Sequence, residues 1–120
     1  MTQYTATGIK RLANAARYSW QGLLATFKHE EAFRQECLLF ALALPCALWL
    51  GDTALERLLL VASIVVLMVV ELLNSAIESV VDRVGEEHHA LSGRAKDQGS
   101  AAVLLTVALV IATWLGVAIG

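Results

Sequence analysis

The sequence predicts an all-α membrane protein, with an N-terminal amphipathic surface helix followed by three transmembrane helices. Three observations carry that prediction. Hydrophobic residues make up 58% of the 120 and charged residues 17%, against roughly 45–50% and about 25% in soluble domains. Mean hydropathy is +0.64. The apolar residues also gather into three long runs, and basic residues cluster in the segments between and before them. One proline and eight glycines over this length fit a single membrane domain spanning 1–120. The composition excludes disorder. Nine Lys and Arg against 11 Asp and Glu give a net charge of −2, so there is no basic excess for nucleic acid, and no nucleic-acid partner is expected.

The first element is expected at about 5–28. Ile9, Leu12, Ala16, Trp20, Leu23 and Phe27 recur every three or four residues, with Lys10, Arg11 and Arg17 off that face. A basic amphipathic helix beside a membrane lies in the interface plane. No apolar core of a cleavable signal precedes it in the first 36 residues.

Span one is expected at about 30–50. Its uncharged part is Cys37–Gly51, and entry from Ala32 brings it to the roughly 20 residues a bilayer needs. Pro45 should kink it. Cys37 and Cys46 point to opposite sides of this helix and read as small apolar residues. The Gly51–Thr53 turn follows, and Thr53 with Glu56 fits a capping box that opens span two.

Span two is expected at 54–84, with Gly85 at its C-terminal boundary. At 1.5 Å per residue it is about 46 Å long, more than a hydrocarbon core of about 30 Å. Its last third should therefore project beyond the core. Ser92 is the expected N-cap of span three, at about 93–119, where residues 99–120 carry no charge. Trp49 and Trp114 fall near span ends, as interface anchors do.

Orientation follows from Lys10, Arg11, Arg17, Lys28 and Arg34 before span one, and from Arg83, Arg94 and Lys96 between spans two and three. Only Arg57 lies between spans one and two. The N-terminus and the 82–98 loop are expected in the cytoplasm and the C-terminus outside.

Span two carries residues that a membrane helix ordinarily lacks. Glu71, Ser75, Glu78 and Asp82 fall within about 60° of one another at 100° per residue, with Asn74 alongside. A carboxylate at the depth of Glu71 costs on the order of 2–3 kcal/mol. Helix–helix hydrogen bonding alone would be met by a lone Asn or Gln, so the stripe points to chemistry. Glu30, Glu31, Arg34 and Glu36 enter span one at the same level, and Arg94, Lys96 and Asp97 enter span three. Carboxylates suit a hard cation such as Mg²⁺, and Lys96 and Arg94 suit phosphate. There is no GxxxxGK[ST] loop and no kinase-type catalytic loop. The adjacent His88 and His89 diverge too much for a zinc site.

The run Glu71-Leu72-Leu73-Asn74-Ser75-Ala76-Ile77-Glu78-Ser79-Val80-Val81-Asp82 resembles the signature of the prokaryotic diacylglycerol kinase family. So do residues 15–23 (AARYSWQGL), 30–36 (EEAFRQE) and 91–100 (LSGRAKDQGS), and together they span nearly the whole chain. The resemblance implies a homotrimeric kinase of the bacterial inner membrane that phosphorylates diacylglycerol from MgATP to give phosphatidic acid. By motif position Glu71 resembles the family's proton acceptor, and Glu30 and Glu78 its Mg²⁺ ligands. Arg11, Tyr18, Glu30, Glu78, Glu87, His88, His89, Lys96 and Asp97 fall where the family contacts nucleotide. Arg11, Ser19, Trp20, Arg34, Gln35, Glu36, Trp49, Arg57, Glu71 and Ser100 fall in its lipid-facing segments, with Asn74 and Asp82 in support.

Two other readings compete. An undecaprenol kinase of the same family would keep the mechanism and change the lipid. A small proton-coupled exporter would use Glu71 alone and leave Glu78, Lys96 and Asp97 unexplained.

Overall fold

In a bilayer the backbone has no water to bond, and a continuous apolar run meets that demand as a helix. The computed structural model describes residues 7–85 and 90–120. The regular elements among them are four helices: α1 (Gly8–His29), α2 (Glu31–Leu50), α3 (Ala54–Val84) and α4 (Ala90–Ile119). Of these, α2, α3 and α4 are long and apolar enough to cross a membrane.

Local chemistry sets the boundaries. Between α1 and α2, Glu30 is extended (φ −116°, ψ 110°). Arg34 turns back from α2, and its Nη1 donates to the carbonyls of Phe27 (2.8 Å) and Lys28 (3.0 Å). Carbonyls in the last turn of a helix lack helical partners, so this guanidinium closes the end of α1. At the α2–α3 turn, the Glu56 N–H donates to Thr53 Oγ1 at 3.1 Å. The Glu56 carboxylate reaches back to the N–H of Asp52 at 2.8 Å, one residue earlier than in a standard capping box. Arg57 Nε donates to the Gly51 carbonyl at 3.1 Å. A Cβ at Gly51 would stand 2.6 Å from Arg57 Cγ, so glycine is what lets the arginine stem lie across the turn.

Two boundary details differ from expectation. Helix α3 stops at Val84, but Gly85 is extended (φ 176°), so no left-handed glycine terminates it. Ser92 is not the N-cap of α4: the chain is already helical at Ala90, and an N-cap must lie outside the helix it closes. Pro45 sits within α2, which continues to Leu50.

Helix α3 packs against both α2 and α4. Its buried residues are Leu60, Ser63, Ile64, Leu67, Glu71 and Ser75, and apart from the adjacent Ser63 and Ile64 they are spaced three or four apart, along one face. Small residues let the neighbours close on that face. Helix α2 buries Ala43 and Ala47, one turn apart, and α4 buries Gly99 and Thr106. The face is apolar from Leu60 to Leu67 apart from Ser63, and carries its first carboxylate at Glu71. The core is thus a seam along α3 in a slab measuring 47 × 42 × 21 Å.

Candidate active site

The polar end of α3 is built from its own helical spacing. Glu71 is 6% exposed and Ser75 is also buried, whereas Glu78 is half-buried and Asp82 exposed. The stripe therefore passes from the packed interior outward in about three turns. Asn74 Nδ2 donates to Glu78 Oε1 at 2.9 Å, an i,i+4 contact that orients the carboxylate. The other end of that amide, Asn74 Oδ1, meets α4 at Gly99, where any Cβ would collide with it. Lower on the stripe, Lys96 Nζ of α4 pairs with Asp82 Oδ1 at 2.9 Å. The Glu78 charge also acts on Lys96. Helix α4 thereby brings a fixed cation to the two outer acids of α3.

Helix α2 contributes a contact that spacing does not reveal. Glu36 is buried where α2 packs on α3, and its carboxyl lies near that of Glu71. Its Oε1 has no hydrogen-bond partner among the described residues. Asn74 Oδ1 and Ser75 Oγ are likewise buried without partners among them.

A cavity of about 590 Å³ separates α1 from α3 and is lined by Ser19, Thr26, His29, Glu30, Ser75 and Ser79, among others. Glu30 thus stands across this cavity from the turn of α3 that holds Glu78. Among the described residues no three His, Cys, Asp or Glu side chains cluster as a metal-binding set. Glu30 and Glu78 nevertheless offer the oxygen donors that suit a hard cation arriving with phosphate oxygens and water of its own. Asn74 engages only one oxygen of Glu78. Carboxylate oxygens of this kind are chemically compatible with Mg²⁺.

Other expected site residues are distributed as follows. Arg11, Ser19 and Trp20 are exposed on α1, and Arg17 lies over the Tyr18 ring at 5.2 Å from its centroid. Gln35, Asp97 and Ser100 are exposed near the polar end of the bundle. Arg34 uses its guanidinium on α1. Trp49 and Arg57 belong to the opposite end: Arg57 is folded onto Gly51, about 21 Å from Glu71 at 1.5 Å per residue. The structure does not bring these two together with Glu71. Glu87, His88 and His89 lie outside the described residues.

Sequence reasoning missed three participants: the nearness of Glu36 to Glu71, Gly99 as the seat of Asn74, and Thr26 with Ser79 in the cavity wall. A glycine at the start of the uncharged stretch of α4 was a usable signal for the second.

Residues 17–118 match the family described as prokaryotic diacylglycerol kinase. The chain is 49% identical to a diacylglycerol kinase of Haemophilus influenzae over 114 residues, covering 95% of this chain and 97% of the relative. It is 54% identical to a diacylglycerol kinase of Escherichia coli strain K12 over 108 residues, covering 90% and 88%. A Pseudomonas aeruginosa diacylglycerol kinase is 46% identical over 114 residues, covering 95% and 93%.

Proposed function

The chain belongs to the prokaryotic diacylglycerol kinase family and is an ATP-dependent kinase, and from that premise we propose that it phosphorylates the primary hydroxyl of sn-1,2-diacylglycerol. The donor is MgATP, and the products are phosphatidic acid and ADP. The observation that carries this reading is the single face of α3, on which buried Glu71 gives way to half-buried Glu78 and then to Asp82 with its Lys96 partner. A membrane-bound alcohol and a water-soluble nucleotide can meet on such a face from opposite directions.

Phosphoryl transfer depends on positioning and charge stabilisation more than on covalent chemistry. Glu71 accepts the proton of the lipid hydroxyl as its oxygen attacks the γ-phosphorus. The new O–P bond forms while the bond from that phosphorus to the bridging oxygen breaks, and its electron pair leaves with ADP. Glu30 and Glu78 would hold Mg²⁺, which would supply neutralisation of phosphate charge. Asn74 keeps Glu78 in place, and Lys96, oriented by Asp82, presents a cation to the phosphates. Arg11, Tyr18 and Asp97 contact the nucleotide, with Glu87, His88 and His89. Ser19, Trp20, Arg34, Gln35, Glu36 and Ser100 flank the lipid, with Trp49 and Arg57 on its distal side.

Helix α1 lies in the membrane interface, supported by its alternation of exposed Ile9, Leu12, Trp20 and Phe27 with basic residues. The N-terminus faces the cytoplasm of a bacterial inner membrane. The unit is a homotrimer, a reading supported by α4, which buries only Gly99 and Thr106 within one chain and leaves its other faces to neighbouring copies.

The test is phosphate transfer from MgATP in mixed micelles, with diacylglycerol and undecaprenol offered in parallel. Diacylglycerol is expected to be labelled, and Glu71→Gln to lose about 100-fold or more of the rate with the oligomer intact. Removal of Mg²⁺ by chelation should stop transfer. Label on undecaprenol alone would reassign the substrate. No label on either lipid from folded protein would favour a proton-coupled exporter.

A further inference from the structure

Ser75 is the buried side chain of the polar stripe to which the reading above gives no task. It is 6% exposed, and its Oγ has no hydrogen-bond partner among the described residues. Other hydroxyls in these helices behave differently. Ser19, Thr26, Ser63 and Thr106 each donate to a backbone carbonyl three or four residues earlier, at 2.7–2.9 Å. That back-bond is the ordinary way for a helical serine or threonine to satisfy its proton. Leaving it unmade in a dry interior costs stability, and helix packing at this position would be served by an alanine.

The place of Ser75 gives its free donor a use. It lies between Glu71 and Glu78 on one face of α3, about 6 Å along the axis from the first and about 4.5 Å from the second. It also lines the cavity of about 590 Å³ whose wall includes Glu30. With the acceptor hydroxyl at Glu71 and the nucleotide phosphates at Glu78 and Glu30, the phosphorus in transit passes the level of Ser75. The opposite wall leaves room for it: a Cβ at Gly22 of α1 would meet nothing within 4 Å. In the transition state, negative charge spreads over the three equatorial oxygens of the phosphoryl group. A preorganised donor shielded from water stabilises such charge most.

We propose that Ser75 is a catalytic residue whose hydroxyl donates a hydrogen bond to an oxygen of the γ-phosphoryl group as it passes from ATP to the lipid alcohol. The inference rests on the kinase reading and adds a member to its site. Ser75 keeps its proton throughout and forms no bond to phosphorus. The alcohol proton still goes to Glu71, and the electron pair of the breaking P–O bond still leaves with ADP.

The experiment measures kcat and KM for diacylglycerol and for MgATP in Ser75→Ala, Ser75→Thr and Ser63→Ala, together with thermal unfolding and oligomeric state. Ser75→Ala should lower kcat by about tenfold or more with both KM values within about twofold of wild type. Its unfolding temperature should equal or exceed that of wild type, because a buried donor without a partner has been removed. Ser75→Thr returns the hydroxyl and should recover most of the lost kcat. Ser63→Ala should do the reverse of Ser75→Ala, losing stability and keeping activity, since the Ser63 hydroxyl is already bonded and stands about 12 Å along α3 from Glu71. Wild-type protein incubated with γ-labelled MgATP and no lipid should carry no label.

Unchanged kcat in Ser75→Ala, a raised KM for diacylglycerol alone, or folded Ser75→Thr as slow as Ser75→Ala would each overturn the assignment. So would a loss of activity in Ser75→Ala no larger than its loss of folded protein, or label on wild-type protein that Ser75→Ala lacks. Each of these leaves wild-type transfer intact. Failure of the kinase reading shows differently, as wild-type protein inactive on every lipid alcohol offered, and it would take the assignment of Ser75 with it.

Discussion

The indole Nε1 of Trp114 donates to the hydroxyl of Ser63 at 3.1 Å, tying the far end of α4 to the apolar half of α3. Ser63 passes the bond on by donating to the Leu60 carbonyl at 2.7 Å. The position of Trp114 near the end of an apolar run suggests an interface anchor whose N–H faces headgroups. Its N–H is instead satisfied by the neighbouring helix.

Interhelical hydrogen bonds in membranes average about 0.6 kcal/mol and reach nearly 2. Trp114→Phe and Ser63→Ala should each destabilise the protein within that range, and a double-mutant cycle should recover most of the loss as coupling. Phosphate transfer should change less than about twofold, because Ser63 lies about 12 Å along α3 from Glu71. Thermal unfolding in detergent beside a kinase assay checks both parts.

Gly99 sets the position of Asn74. A methyl group at Gly99 would collide with Asn74 Oδ1, and the amide is also committed to Glu78 through Nδ2. Gly99→Ala should therefore displace Asn74, at a cost of about 1–3 kcal/mol for overpacking, and release Glu78. The Mg²⁺ concentration needed for half-maximal activity should rise. In an Asn74→Ala background the same substitution should cost little stability. An equal cost in both backgrounds would show that the clash lies elsewhere.

The Lys96–Asp82 pair separates stability from function. Both side chains are substantially exposed, at 46% and 66%, and exposed ion pairs contribute about 0–1 kcal/mol. Lys96→Ala and Asp82→Ala should leave unfolding almost unchanged. Activity should fall by about tenfold or more in Lys96→Ala, because the phosphates lose a fixed cation. The loss in Asp82→Ala should be smaller and should appear in KM for MgATP.

The ends of α3 were legible because their determinants are local: Thr53 and Glu56 sit within one turn of each other, and the apolar periodicity runs out at Val84. The polar stripe was legible for the same reason, since residues 71, 75, 78 and 82 share a face by helical geometry alone. Contacts between helices were not. No periodicity connects Glu36 to Glu71, because their proximity depends on how α2 and α3 are rotated about their axes. Arg57 reads as one more basic residue near lipid until the turn shows its Nε on Gly51. Ser92 misled because an N-cap residue type also occurs inside helices when the chain upstream is already helical.

The α2–α3 turn has a consequence for biosynthesis. Only Gly51, Asp52 and Thr53 separate the two helices, and their polar groups are met by Glu56 and Arg57 of the next turn. A nascent hairpin of this kind has only a three-residue connection between two long apolar helices. It can enter as a unit, with the Asp52 N–H and the Gly51 carbonyl of the turn already bonded.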